Sequence, residues 1–96
     1  MSEITFEWDD DKAELNCGKH GVTFDEAKSV FYDVLSLTGY DPLHSIVEDR
    51  FVTMGMSNCG KFLVVSHTDR NGAIRIINAR VADRSEKKRY ENGDFP

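Results

Sequence analysis

The sequence contains no run of apolar residues long enough to cross a membrane. A spanning helix needs about 20 consecutive apolar residues, and no stretch of the 96-residue chain approaches that length. Residues 1–3 are acidic in character and lack the basic-then-apolar pattern of a signal peptide. We therefore expect a soluble cytoplasmic protein that has no membrane partner.

Cysteine is also scarce, with only Cys17 and Cys59 in the chain. Cytosolic thiols usually stay reduced, so a disulfide is not expected. Cys17 and His20 have the outline of half a metal site, but their spacing fits no zinc motif. The sequence also lacks a glycine-rich phosphate loop and a nucleophile elbow. We predict no metal site and no cofactor.

The two halves of the chain differ strongly in charge. The net charge is −5, which disfavours a nucleic-acid partner when taken alone. Residues 1–49, however, carry twelve acidic and three basic side chains, whereas residues 50–96 carry five acidic and nine basic ones. The halves therefore hold net charges of −9 and +4. This asymmetry permits a polyanion site on the C-terminal half and leaves the acidic half as a solvated surface or a face for a basic partner.

The length indicates one domain spanning residues 1–96. Residues 4–8 alternate loosely between polar and apolar side chains and predict a short strand. A first helix is expected over residues 10–17. Asp9 supplies its N-cap and Gly18 its end.

A second helix is expected over residues 24–32. Thr23 and Glu26 have the spacing of a capping box, and apolar side chains recur at helical spacing behind them. The following segment is ambiguous. Residues 35–37 read as a short extended piece, and residues 39–42 contain the glycine and proline that should break it.

Three strands are predicted in the second half, over residues 48–56, 61–68 and 73–79. The turn sequences at 58–60 and 71–72 are typical of tight connections between antiparallel strands. We therefore expect an antiparallel meander.

A polar C-terminal helix should begin after Asp83 and stop at Gly93. The predicted class is α+β, with the antiparallel sheet covered on one face by the two N-terminal helices, a short C-terminal helix, and the other face partly open to a ligand. The predicted core residues are Phe24, Val30, Phe31, Phe62, Val64 and Ile76.

Cationic side chains are the most numerous candidate functional groups on the predicted meander, and they include Arg50, Arg70, Arg75 and Arg80. A guanidinium group binds phosphate oxygens in a planar, two-pronged arrangement. Arg75 and Arg80 are an odd number of residues apart, so a regular strand directs them to opposite faces. They serve one site only if the strand bulges or if Arg80 lies past its end.

Acid–base groups are fewer and less constrained. His20, His44 and His67 are candidate acids or bases, because histidine is the side chain best suited to proton transfer near neutral pH. His20 lies beside Lys19, which suits a phosphate, while His67 shares strand parity with apolar neighbours and is equally consistent with a structural role. Glu48 is either the ion-pair partner of Arg50 or a catalytic base.

Taken in order along the chain, these residues resemble the BrnT toxin family. The matching positions are Phe6 to Asp9, Lys12, Ala13, Asn16 to Phe24, Glu26, Ala27, Val30, Phe31, Asp41, His44, Ser45, Glu48, Arg50, Gly55, Gly60 to Val65, His67 to Arg70, Arg75 to Arg80, Ala82, Glu86 and Tyr90. The chain departs from the family pattern at Asn78, where serine is expected, and at Lys61, where arginine is common.

The resemblance implies a RelE-like fold and a type II toxin that cleaves RNA without a metal and arrests growth. It implies a BrnA-like ribbon-helix-helix antitoxin, through which the complex reaches operator DNA. RNA cleavage without a metal needs a base, an acid and cations around the phosphorane. Candidate catalytic residues are Arg75, Arg80, Glu48, His20 and Lys19, and candidate RNA-binding residues are Arg50, His67 and Arg70. The alternative is an inactive or non-enzymatic module that only binds its antitoxin or RNA.

Overall fold

Five strands form one sheet in residues 3–94, the part of the chain described by this computed structural model. In chain order they are β1 (Phe6–Glu7), β2 (Leu37–Tyr40), β3 (Phe51–Met56), β4 (Phe62–Arg70) and β5 (Ala73–Val81). Their spatial order is β1-β5-β4-β3-β2, with β1 parallel to β5 and all other neighbours antiparallel. The predicted meander and the α+β class are confirmed, and β2 extends the meander by one strand.

The turns between these strands follow from their sequences. Asn71 and Gly72, which join β4 to β5, both have positive φ angles, of 52° and 82°. This is the requirement of a type I′ turn, which matches the twist of a hairpin. Gly60 has a φ of 77° in the turn between β3 and β4, and its N–H donates to the carbonyl of Ser57.

The first helix, α1 (Asp10–His20), begins as predicted but ends later. The Asp9 side chain accepts a hydrogen bond from the Lys12 amide, as an N-cap does. The predicted end at Gly18 is wrong, because Gly21 supplies the left-handed cap at a φ of 68°. Lys19 and His20 in the last turn interact favourably with the negative end of the helix dipole, which stabilises the helix beyond Gly18.

The second helix, α2 (Phe24–Ser29), is capped by Thr23 and tightens into a 3₁₀ turn over Val30–Tyr32. Its predicted span of 24–32 is thus confirmed, with a change of helix type in the last turn. α1 and α2 lie on one face of the sheet.

The core lies between these helices and the sheet. Leu63 and Val65 of β4 and Ile76 of β5 face the helices and are buried with Phe24 and Ala27 of α2. Among the predicted core residues, four are buried (Phe24, Val30, Val64 and Ile76), whereas Phe31 and Phe62 are partly buried. Val64 belongs to the opposite face, because strand residues alternate.

The segment between α2 and β3 differs most from the sequence-based expectation. β2 continues through Gly39, where a break was predicted. β3 begins only at Phe51, because residues 41–50 form a loop closed by a hydrogen bond from the Asp41 amide to the Arg50 carbonyl (2.9 Å). The Ser45 hydroxyl stabilises the loop with two hydrogen bonds: it donates to the Asp41 carbonyl and accepts from the Arg50 amide.

The C-terminal helix, α3 (Arg84–Glu91), begins with a complete capping box between Asp83 and Glu86, as its sequence predicts. Tyr90 on this helix packs against Phe62, and its hydroxyl donates to Asp33 Oδ2 at 2.5 Å. These contacts hold α3 against the sheet. Within residues 3–94, no helix is long and apolar enough to cross a membrane.

A buried amide that the sequence did not reveal joins α1 to β5. β1 pairs with β5 only at Ile74 and Arg75, so the rest of the outer edge of β5 has no strand beside it. Asn16 covers it: its side chain accepts from the Ala79 amide (3.0 Å) and donates to the Ala79 carbonyl (2.9 Å) and the Val22 carbonyl (3.0 Å). The amide thus replaces the strand that is missing there.

Candidate active site

The sheet face opposite α1 and α2 carries a groove of about 630 Å³. Its floor is apolar and consists of Val52, Met54 and Val64. The loop at residues 40–44 forms one wall, and Glu86 and Arg89 of α3 contribute to another. Hereafter this groove and the surrounding strand surface are called the open face.

Arg80 extends from β5 into this groove, and its side chain is 42% exposed. Its two terminal nitrogens donate to the two carboxylate oxygens of Glu86, at 2.7 and 2.8 Å. These hydrogen bonds lower the pKa of Glu86, so its carboxylate stays ionised and is a weak base. Glu86 therefore fixes the direction of Arg80 instead of serving as a proton acceptor.

His44 lies on the loop wall of the groove and is 68% exposed. Its Nδ1 is 2.7 Å from Asp41 Oδ2, and Asp41 is held by the closed base of the loop. A carboxylate beside Nδ1 favours the tautomer that carries its hydrogen there, so Nε2 keeps a free lone pair. The pair therefore presents a proton acceptor in the groove that contains Arg80.

A β-bulge brings Arg75 to the same face as Arg80. The register steps from Ser66 opposite Asn78 to His67 opposite Ile76, which leaves Ile77 as an extra residue. The condition inferred from strand parity is thus met. The β4 partners of the two arginines, Val64 and Thr68, are four residues apart, or roughly 13 Å along the strand.

Arg75 therefore shares the open face but lies outside the groove. Its Nη1 donates to Glu7 Oε2 at 2.8 Å, and the Arg75 side chain is only 25% exposed. Glu7 and Arg75 are register partners across β1 and β5. The structure does not bring the two predicted phosphate-binding arginines to one point.

A third group of charges surrounds Glu48, outside the groove. Its two carboxylate oxygens lie 3.3 Å from Arg70 Nη2 and 3.8 Å from Arg50 Nη2. The Nε of Arg50 is buried and has no hydrogen-bond partner among the described residues. The structure thus brings Glu48, Arg50 and Arg70 together as an ion-pair cluster.

The other predicted site residues lie on the helix side of the sheet. Lys19 and His20 belong to the last turn of α1. His67 is 4% exposed and lies between the rings of Phe31 and Phe51, with Nε2 2.7 Å from Thr53 Oγ1. Burial lowers the pKa of His67 to about 4, although Asp69 acts in the opposite direction. His67 is therefore a neutral histidine within the covered face.

Sequence reasoning missed the two walls of the groove. Asp41, Glu86 and Arg89 were not predicted as site residues, and His44 was only one of three titratable histidines. Their convergence depends on a loop fold and a helix position that no periodicity encodes. The spacing of Asp41 and His44, three residues apart around a proline, is the one local signal that was available.

Among residues 3–94, no three His, Cys, Asp or Glu side chains are placed to hold a metal ion.

Comparison with known proteins identifies the family. No curated protein matches the chain. The crystal structure of the Brucella abortus ribonuclease toxin BrnT is similar in fold, with a TM-score of 0.63 and 21% identity over 85% of this chain and 100% of that one. Residues 8–86 match the family described as the ribonuclease toxin, BrnT, of type II toxin–antitoxin systems, and the chain belongs to that family.

Proposed function

We propose that the groove on the open face is the active site of a metal-independent endoribonuclease, whose products are a 2′,3′-cyclic phosphate and a 5′-hydroxyl. The observation that carries this proposal is the convergence of the His44–Asp41 pair and Arg80 on one groove. Together they supply a proton acceptor and a cation, which are two of the three groups that cleavage by the 2′-hydroxyl requires.

His44 is the base in this proposal. Its Nε2 takes the proton from the 2′-hydroxyl of the substrate, and the 2′-oxygen attacks phosphorus. The bond to the 5′-oxygen then breaks, and water at the open side of the groove protonates that oxygen. Asp41 holds the ring and stabilises the imidazolium that forms.

Arg80 and Arg89 stabilise the phosphorane, whose negative charge exceeds that of the starting phosphodiester. Arg80 keeps its direction through Glu86, which leaves the Nε side of the guanidinium for the phosphate. Arg50, Arg70 and Arg75 lie further along the open face, where they contact the RNA backbone beyond the cleaved bond, and Glu48 orients Arg50 and Arg70. Lys19, His20 and His67 have no role at the groove in this proposal.

The test is cleavage of an end-labelled single-stranded RNA by the purified protein in the presence of a chelator. Arg80→Ala is expected to slow cleavage more than tenfold, because a lost transition-state contact costs about 2–4 kcal/mol. His44→Ala should have a similar effect. His20→Ala, the matched change on the other side of the sheet, should retain most of the rate. Equal rates for the two histidine variants would contradict this site, and a requirement for divalent metal would contradict the mechanism.

We place an antitoxin over the groove. A type II system implies an antitoxin partner, and a BrnA-like ribbon-helix-helix protein fits the expectation from the sequence, with operator DNA reached only through it. Three apolar side chains on the loop beside the groove are 81–96% exposed, namely Leu43, Ile46 and Val47. A partner that buries them also closes the groove, so Ile46→Ser with Val47→Ser, both outside the groove lining, should weaken inhibition while leaving RNA cleavage intact.

A module that binds its antitoxin or RNA without cleaving RNA is the second candidate. The bidentate pair of Arg80 with Glu86 favours it, because both terminal nitrogens of the arginine are already occupied. Absence of cleavage by the wild-type protein, with ribosomes present as well as absent, would establish this alternative.

A further inference from the structure

We propose that the groove reads the RNA base next to the cleaved phosphate through Asn78 and Ser66, and that it prefers adenine. The inference rests on the proposed function for the presence of RNA in the groove. It assigns a specificity site to two side chains that take no part in the chemistry described above.

Asn78 and Ser66 are set apart from the other polar side chains of the sheet by their lack of partners. Six strand residues carry a hydroxyl or amide group: Thr38, Tyr40, Thr53, Ser66, Thr68 and Asn78. Four of them hydrogen-bond to other groups of the protein. Among the described residues, neither Ser66 nor Asn78 has a side-chain partner, although both line the groove.

The two side chains also form a pair. Ser66 and Asn78 are register partners on β4 and β5, so they stand side by side on the open face. The bulged residue Ile77 directly precedes Asn78, and bulges often redirect a neighbouring side chain next to a functional site. The result is a donor–acceptor pair directed into the groove.

Their position relative to Arg80 fits a single nucleotide. Asn78 and Arg80 are two residues apart on one strand face, or roughly 7 Å. That spacing is comparable to the distance between a phosphate and the edge of the base on the same nucleotide. Val52, Met54 and Val64 provide an apolar floor for a flat ring. Single-stranded RNA is read in this way, by apolar contact with the ring and hydrogen bonds at its edge.

The chemistry of the amide favours adenine. An asparagine side chain accepts from the exocyclic amino group N6 and donates to N7 of adenine, which makes two hydrogen bonds to one base edge. Ser66 supplies a further hydroxyl beside it. The expected discrimination is on the order of tenfold, as a bidentate contact to one base edge gives.

The first experiment maps cleavage sites in a pool of random single-stranded RNA by sequencing the product ends. Wild type should show adenine enriched at one position beside the cut. Asn78→Ala should abolish the enrichment. Asn78→Asp should shift it to guanine, because a carboxylate only accepts hydrogen bonds and guanine offers N1–H and N2–H donors on one edge. Asn92→Asp, which adds the same charge outside the groove, should keep the wild-type pattern.

The second experiment measures binding without cleavage. Oligo(A) and oligo(U) of twelve nucleotides are titrated against the His44→Ala variant, followed by fluorescence anisotropy. Oligo(A) should bind about tenfold more tightly, and Asn78→Ala in the same background should remove the difference.

The outcomes separate this inference from the proposed function. Cleavage without an Asn78-dependent adenine preference overturns the base-reading site and leaves the ribonuclease intact, and enrichment of a different base does the same. An Asn78-dependent preference in binding without any cleavage supports the site and overturns the enzyme. Absence of both binding and cleavage overturns both proposals.

Discussion

The two faces of the sheet use the same strands for opposite purposes. On the covered face, side chains of β4 and β5 lie in an apolar core, and even its histidine is uncharged between two aromatic rings. On the open face, the arginines of these strands remain charged, and each is paired with a carboxylate: Arg70 with Glu48, Arg75 with Glu7, and Arg80 with Glu86. The comparison shows that this acidic protein orients the cationic side chains of the open face by pairing them with carboxylates.

The largest effect on stability is expected from a cavity in the covered face. Leu63 is fully buried, so Leu63→Ala should lower the free energy of unfolding by about 3–4 kcal/mol. Val81 is its register partner on β5 but is 51% exposed, and Val81→Ala should cost less than about 1 kcal/mol. Urea denaturation of the two variants measures this difference. Similar costs would mean that Leu63 does not lie in the core.

Acid should destabilise the covered face through His67. Its folded-state pKa of about 4 lies below the ordinary value of 6.5, so the unfolded chain takes up the proton first as the pH falls. The folded state should therefore lose about 3 kcal/mol between pH 6.5 and pH 4, at 1.36 kcal/mol per pKa unit. His67→Gln should lack this loss. The comparison is made by denaturation at pH 7 and pH 4, and parallel pH profiles for the two proteins would contradict it.

Removing the amide that covers the edge of β5 should have a somewhat smaller effect. Asn16→Ala deletes three hydrogen bonds and leaves the backbone of Ala79 without its partner. We expect a loss of roughly 2 kcal/mol in the free energy of unfolding. Asn92→Ala at the exposed end of α3 is the matched control and should change little. Hydrogen exchange at the Ala79 amide reports the same event locally, and unchanged protection there would count against this role.

The smallest effect is expected on the open face outside the groove. Arg75→Ala should slow RNA cleavage only two- to threefold, since its charge is shared with Glu7 and it lies roughly 13 Å from Arg80. The loss in stability should be about 1 kcal/mol, at the upper end for surface ion pairs, because the Arg75–Glu7 pair is partly buried. Cleavage assays of Arg75→Ala beside Arg80→Ala test this. Equal losses would return both arginines to one catalytic site.

Local signals in the sequence predict most of the fold. The Asn71-Gly72 turn, the Thr23 and Asp83 caps and the alternation along β4 each agree with the structure, because they depend only on neighbouring residues. The end of α1 was misplaced because Gly18 tolerates a helix that Gly21 ends more favourably. Residues 48–50 were predicted as strand but belong to the loop before β3, because the closure of this loop depends on hydrogen bonds that have no period.

The site is less predictable than the fold, for a physical reason. Strand parity separates Arg75 from Arg80, and only the extra residue at Ile77, which the sequence does not mark, restores them to one face. His44 reaches the groove through a loop, and Glu86 through the docking of α3. Each of these placements depends on contacts between residues far apart in the chain.

The pairing of arginines with carboxylates has a consequence for how RNA binding responds to salt. A free cation that meets a phosphate releases condensed counterions from the nucleic acid, which makes affinity fall steeply as salt rises. Here each guanidinium that meets a phosphate is already partly neutralised by Glu86 or Glu7. Fewer counterions are therefore released from the nucleic acid for each arginine contact. RNA affinity should therefore vary with salt much less than the number of arginines on the open face suggests. We expect weak RNA binding whose affinity changes little with salt concentration.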